Sequence, residues 1–177
     1  MEIETTKIPG VLLLKPRVFV DARGFFMEIW TKASYAQAGL PYSFLQDNIS
    51  RSMRGCLRGL HFQRRYPQGK LLQAIRGRIW DVAVDLRHES PTFGQWHAEE
   101  LSDENHCQLY IPPGLAHGFC VLSDQADVLY KCTQYYKPGD EGAIRWNDPD
   151  LAINWPVTEP MLSAKDAAAP FLTEQTF

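Results

Sequence analysis

The sequence predicts an all-β fold: a sandwich, a closed barrel or a jelly roll (a double-stranded β-helix), with a few short helices added. Twelve Gly and twelve Pro fall between short apolar runs, a pattern of many strands joined by turns. Several of those runs alternate apolar and polar residues, the mark of a half-buried strand. No repeat, low-complexity tract or block of like charge divides the 177 residues, so 1–177 reads as one domain, long enough to bury a core.

In chain order, Val11 to Leu14 and Arg17 to Val20 read as strands, Asp21-Ala-Arg-Gly24 as a turn, and Phe25 to Trp30 as a further strand. Thr31 to Ala38 has the pattern of a short helix with Gly39 as its stop. Gly55-Cys-Leu-Arg-Gly-Leu-His-Phe-Gln63 is an apolar strand between glycines. Its period of two sends Leu60 and Phe62 to one face and Gly59, His61 and Gln63 to the other. Along Arg78 to Leu86, Trp80, Val82, Val84 and Leu86 share a face, and Asp81 and Asp85 take the opposite one. Pro91 to Gly94 is a turn, and Gln108 to Ile111 leads into Pro112-Pro-Gly114. Val128 to Tyr135 is a strand with Tyr130 and Cys132 on one side, and Ser163 to Ala169 makes one or two helical turns before Pro170.

The jelly roll is favoured by Pro113-Gly-Leu-Ala-His117-Gly, which resembles the second motif of cupin barrels. The first cupin motif would supply a H-x-H pair and a downstream Glu as metal ligands. Here that stretch is His61-Phe-Gln63, with one imidazole, whereas zinc and transition-metal sites take three or four ligands. No metal is expected.

Net charge is −3, opposite in sign to a nucleic-acid binder, although a small phosphorylated ligand needs only local Arg and Lys. The first ten residues lack the apolar segment of a signal peptide, and no run approaches the roughly 18 apolar residues of a membrane span. Cys56, Cys107, Cys120 and Cys132 form no C-x-x-C pair. The expectation is a cytoplasmic chain with reduced, mostly buried thiols and neither nucleic acid nor membrane as partner.

Chemistry concentrates where Arg58, His61, Gln63 and Lys70 fall within thirteen residues, an imidazole between two cations. His61 is the best general-base candidate, its ordinary pKa being near neutrality; the plainer reading is a core histidine satisfied by the backbone. His117 either fixes a turn or contacts a ligand. Tyr130 is an acid, a hydrogen-bond donor or a strand aromatic. Ser163-Ala-Lys-Asp166 fits a helix capping box, Lys165 reads as a solvated lysine, Arg23 as an exposed turn residue, and Gln46-Asp-Asn48 as a turn with side-chain caps.

Taken together, the motifs resemble the dTDP-4-dehydrorhamnose 3,5-epimerase family. The resemblance is carried by Asp21-Ala-Arg-Gly-Phe-Phe-Met-Glu28, Gln46-Asp-Asn-Ile-Ser50, Gly55 to Gln63, Gln68-Gly-Lys70, Ile111-Pro-Pro-Gly-Leu-Ala-His-Gly-Phe119, Val128-Leu-Tyr-Lys131, Trp146-Asn-Asp-Pro149 and Leu162-Ser-Ala-Lys-Asp166. It runs in family order from about residue 3 to 172, and Cys56, where an aliphatic is expected, and the loop Arg64-Arg-Tyr-Pro67 depart from it.

The resemblance implies a jelly-roll homodimer acting without cofactor on dTDP-4-dehydro-6-deoxy-D-glucose, inverting C3 and C5 through enolates. The alternative it leaves open is a 3- or 5-epimerase of another deoxysugar. It further implies His61 as base, Asp166 as the carboxylate orienting it, Tyr130 as acid and Lys70 as the cation facing the enolate oxygen. A lysine close to Tyr130 would also lower that phenol's pKa. Arg23, Arg58 and Lys165 are implied as diphosphate contacts; Glu28, Gln46, Asp47 and Asn48 as contacts to thymidine or sugar hydroxyls; His117 and Glu141 as sugar-pocket residues; and Phe19 and Phe26 as thymine-stacking groups.

Overall fold

The computed structural model describes residues 1–40 and 43–175, and among them the alternating segments form thirteen strands. These are β1 (Glu2–Thr5), β2 (Leu12–Lys15), β3 (Val18–Asp21), β4 (Gly24–Met27), β5 (Gln46–Met53), β6 (Leu57–Gln63), β7 (Lys70–Arg76), β8 (Arg78–Asp85), β9 (Trp96–Ser102), β10 (Gln108–Ile111), β11 (Leu115–Val121), β12 (Gln125–Cys132) and β13 (Glu141–Ala143). Two short helices, α1 (Lys32–Gln37) and α2 (Ala164–Ala167), and a 3-10 turn at Leu172–Glu174 are the helical elements among the described residues. The strands pair as two antiparallel sheets, in the orders β1-β2-β10-β7-β12-β5 and β13-β6-β11-β8-β9, with β3-β4 as a separate hairpin. This is the expected jelly roll.

The core lies between the sheets. Leu72, Ala74 and Val128 of the first meet Ile79, Ala83, Leu101 and Phe119 of the second, all buried. Truncating a leucine there costs about 2–5 kcal/mol, lost transfer energy plus the cavity left behind. The outer face of the second sheet carries Leu60, Val82, Val84 and Leu86, which the C-terminal chain covers with Ile144, Leu151, Trp155 and Leu172. That apolar cover returns the C-terminal segment to the barrel, where α2 lies beside β6. Helix α1 is capped by Thr31, whose Oγ1 accepts the Ser34 N–H at 3.3 Å, and buries Tyr35 against Leu14 and Leu71.

The expected strands appear within a few residues of their predicted limits. Asp81 and Asp85 do oppose the Trp80 face, but that side is the barrel interior, where both are fully buried and hydrogen-bonded. Gln46-Asp-Asn48, expected as a turn, instead opens β5, a strand at the sheet edge. Its polar sequence hid the alternation: Asp47, Ile49, Arg51 and Met53 face out, and the residues between them turn inward. The four cysteines are free thiols, three of them buried.

Candidate active site

One end of the barrel opens into a cavity of about 620 Å³ between the two sheets. Strand alternation alone would put Arg58 on the face opposite His61, yet both line the cavity. The reason is a bulge. His117 pairs with His61, but two residues on, Phe119 pairs with Arg58, so β6 holds one residue more than β11 and its side-chain parity switches. Gly59 and Gly118 permit this by close approach: a Cβ on Gly59 would lie 2.5 Å from the Gly118 Cα, and Gly59 has φ +139.

His61 stands on this wall with Nε2 2.5 Å from Asp166 Oδ1. Asp166 is supplied by α2, where Ser163 Oγ accepts its backbone N–H at 3.0 Å. The capping expectation thus holds for the backbone of Asp166, while its carboxylate turns to His61. Burial alone would raise the Asp166 pKa, but the His61 hydrogen bond and charge override it and hold the carboxyl below its ordinary value. With Nε2–H given to Asp166, Nδ1 is the nitrogen left to take a proton.

The opposite wall comes from the other sheet. Lys70 of β7 and Cys132 of β12 are cross-strand partners, and Tyr130 lies two residues along on the same side. Burial lowers the Lys70 ammonium pKa, with Asp81 and the Cys132 sulfur opposing it. Burial raises the Tyr130 hydroxyl above its usual value, and the charge that opposes this rise is Arg58. The lowering that a close lysine would give does not prevail at Tyr130: burial wins, and the opposing cation is the arginine.

Gln46, Asn48, Glu141 and Lys165 also line the cavity, and Glu141 ties its rim together. Its carboxylate accepts from Lys165 Nζ at 2.7 Å and from Tyr136 Oη at 2.9 Å, and the lysine, then the tyrosine, hold its pKa low. His117 lies beneath the cavity rather than on its wall: it is buried, its Nε2 is 2.8 Å from Asp81 Oδ2, and burial lowers its pKa. Asp47 turns outward to pair with Lys131, as the alternation of β5 requires.

Arg23, Phe19, Phe26 and Glu28 are not on this cavity within one chain. Arg23 pairs with Asp21 in the β3-β4 turn, and Phe19 and Phe26 sit side by side on the exposed hairpin. Glu28 follows β4 and accepts hydrogen bonds from Thr31 and Ser34. Sequence reasoning gave no role to Gln68, although its motif was quoted, and did not single out Tyr136; both are on the cavity wall, and an aromatic just before Lys137-Pro-Gly139 was the available signal for the second.

Comparison with known proteins fits this arrangement. The family model for dTDP-4-dehydrorhamnose 3,5-epimerase matches residues 5–174. The chain belongs to this family. A dTDP-4-dehydrorhamnose 3,5-epimerase of Pseudomonas aeruginosa is 55% identical over 168 residues, covering 94% of this chain and 93% of its own length. The Salmonella typhimurium enzyme is 52% identical over 177 residues, 98% of this chain and 97% of its own. Among solved structures, a Legionella pneumophila dTDP-6-deoxy-D-glucose-3,5-epimerase in complex with dTDP-4-keto-L-rhamnose superposes with a TM-score of 0.95 at 49% identity, covering 98% and 93% of the two chains.

Proposed function

We propose that this chain inverts C3 and C5 of dTDP-4-dehydro-6-deoxy-D-glucose, giving dTDP-4-dehydro-L-rhamnose, as a cytoplasmic homodimer that uses no metal or organic cofactor. One observation carries the reading. A histidine on one sheet, paired with a carboxylate from α2, faces a tyrosine and a lysine on the other sheet, across a cavity of nucleotide-sugar size. The C4 ketone acidifies the protons on C3 and C5. His61 Nδ1 takes one of them, the C–H pair becomes the enolate double bond, and negative charge moves to O4. Lys70 meets that charge, its stabilising effect strengthened by the dry surroundings. Tyr130 then protonates the same carbon from the opposite face, which inverts it; a base and an acid on one wall would only restore the starting configuration.

Arg58 and Lys165 hold the diphosphate in this reading, with Gln46 and Asn48 toward the nucleoside and Glu141 and His117 shaping the sugar pocket. Arg23, Phe19, Phe26 and Glu28 reach a nucleotide from a second copy. The support is the hairpin itself, which leaves Phe19, Phe25 and Phe26 at 49%, 59% and 70% exposure.

The test is a pair of variants. His61→Asn is expected to abolish turnover while retaining dTDP affinity, and Tyr130→Phe to lose net inversion more than C–H exchange. A His61→Asn enzyme at near wild-type rate would remove the base, and equal loss of inversion and exchange in Tyr130→Phe would remove the acid.

A further inference from the structure

Arg58 is tied on one side and open on the other. Its Nε donates to Ser52 Oγ at 2.8 Å, and Nη2 donates to the Arg51 carbonyl at 3.3 Å. Nη1 makes no hydrogen bond with any described residue. Ser52 is only 5% exposed and sits in β5 opposite Ala126 of β12. The same stretch of β5 is clamped by Arg51, whose Nε and Nη2 each lie 2.7 Å from one oxygen of Asp127. Because the guanidinium is planar, fixing Nε and Nη2 fixes the direction of every remaining donor. Those donors belong to a residue that lines the cavity together with Tyr130, and whose charge opposes the burial of the Tyr130 hydroxyl.

We propose that Ser52 is a positioning residue: its buried hydroxyl orients Arg58 so that one guanidinium serves both the diphosphate of the nucleotide sugar and, through its charge, the Tyr130 hydroxyl. This rests on the epimerase reading and adds to it a side chain that touches no substrate. Without the tether an arginine spreads over many rotamers, and ordering it must then be supplied by the ligand. The same loosening carries positive charge away from Tyr130, so the phenol becomes a weaker acid.

The test uses Ser52→Ala, the near-isosteric Ser52→Cys, Ser52→Thr and Arg58→Ala. Affinities for dTDP and for thymidine are measured by calorimetry, and kcat and KM for the nucleotide sugar as a function of pH. Ser52→Ala and Ser52→Cys are expected to weaken dTDP about tenfold, the scale of one hydrogen bond to a charged group, and to leave thymidine unchanged. Lys70 and Cys132 share this wall with Tyr130, and because burial lowers the Lys70 pKa and raises that of Tyr130, an alkaline limb belongs to both groups. The readout on the phenol is kcat at neutral pH, which should fall severalfold. Ser52→Thr should restore both properties. In an Arg58→Ala background, Ser52→Ala should add nothing, since its effect passes through the arginine.

Wild-type dTDP affinity and an unchanged kcat in Ser52→Ala would overturn the proposal. So would equal weakening of dTDP and thymidine, or a Ser52 effect that persists without Arg58. A wild-type protein that binds dTDP but does not epimerise would refute the epimerase reading instead, and the dTDP and thymidine affinities would still decide the tether.

Discussion

At the scale of single residues, His61 and Asp166 divide one task between two distant parts of the chain. The imidazole comes from the barrel wall and the carboxylate from a helix laid against it 105 residues later. Because the folded Asp166 pKa lies below its ordinary value, the carboxylate is charged at neutral pH and holds His61 in the tautomer with a bare Nδ1. Asp166→Asn is therefore expected to lower kcat by about a hundredfold while dTDP affinity stays near wild type. The helix should persist, since its cap uses the Asp166 N–H and not the carboxylate. Steady-state kinetics check this; an unaffected kcat would mean the dyad is only structural. His61, Lys70 and Tyr130 were legible in the sequence as residue types suited to proton transfer. That Arg58 joins them was not legible from alternation, because the bulge in β6 depends on a glycine pair from two strands. Nor was the burial that outweighs positive charge at Tyr130, since it is set by packing from both sheets.

At the scale of elements, the connection from β8 to β9 is organised by one buried carboxylate. Asp85 accepts from Arg87 at 2.8 and 2.7 Å, from Ser90 at 2.6 Å and from Thr92 at 2.7 Å. Burial would raise its pKa, but these donors hold it well below the usual carboxylate range. A carboxyl depressed in the folded state stabilises the protein above its unfolded pKa of about 3.9, and that stability is lost as pH falls through the folded value. Asp85→Asn, which leaves Arg87 facing a neutral amide, is expected to cost about 3 kcal/mol at neutral pH. Its melting temperature should also fall less than that of the wild type between about pH 5 and about pH 2. Scanning calorimetry across that range checks both; parallel curves would contradict the assignment. This connection was legible as the Pro91 to Gly94 turn, but the role of Asp85 was not, because its partners lie beyond the strand on which it was read. β5 escaped for the opposite reason: an edge strand lined with polar side chains lacks the apolar alternation that marks buried strands.

At the scale of the molecule, the all-β class and the jelly roll followed from turn spacing and the Pro-Gly-x-x-His motif. The separation of Arg23, Phe19, Phe26 and Glu28 from the cavity did not, since no local pattern tells which copy of a chain a hairpin serves. If a second copy brings that hairpin to the cavity, changing Phe25 and Phe26 together to Ser should yield monomers in sedimentation velocity and weaken dTDP binding. A dimer that persists with full dTDP affinity would place the interface elsewhere. Two inversions through enolates formed beside one ketone leave an isotopic record, read by following dTDP-4-dehydro-6-deoxy-D-glucose with this protein in D2O by proton NMR. Deuterium is expected to enter at both C3 and C5 as the rhamno-configured ketone accumulates. Deuterium at one carbon alone would make the chain a single epimerase, and product without deuterium at either carbon would contradict the enolate mechanism.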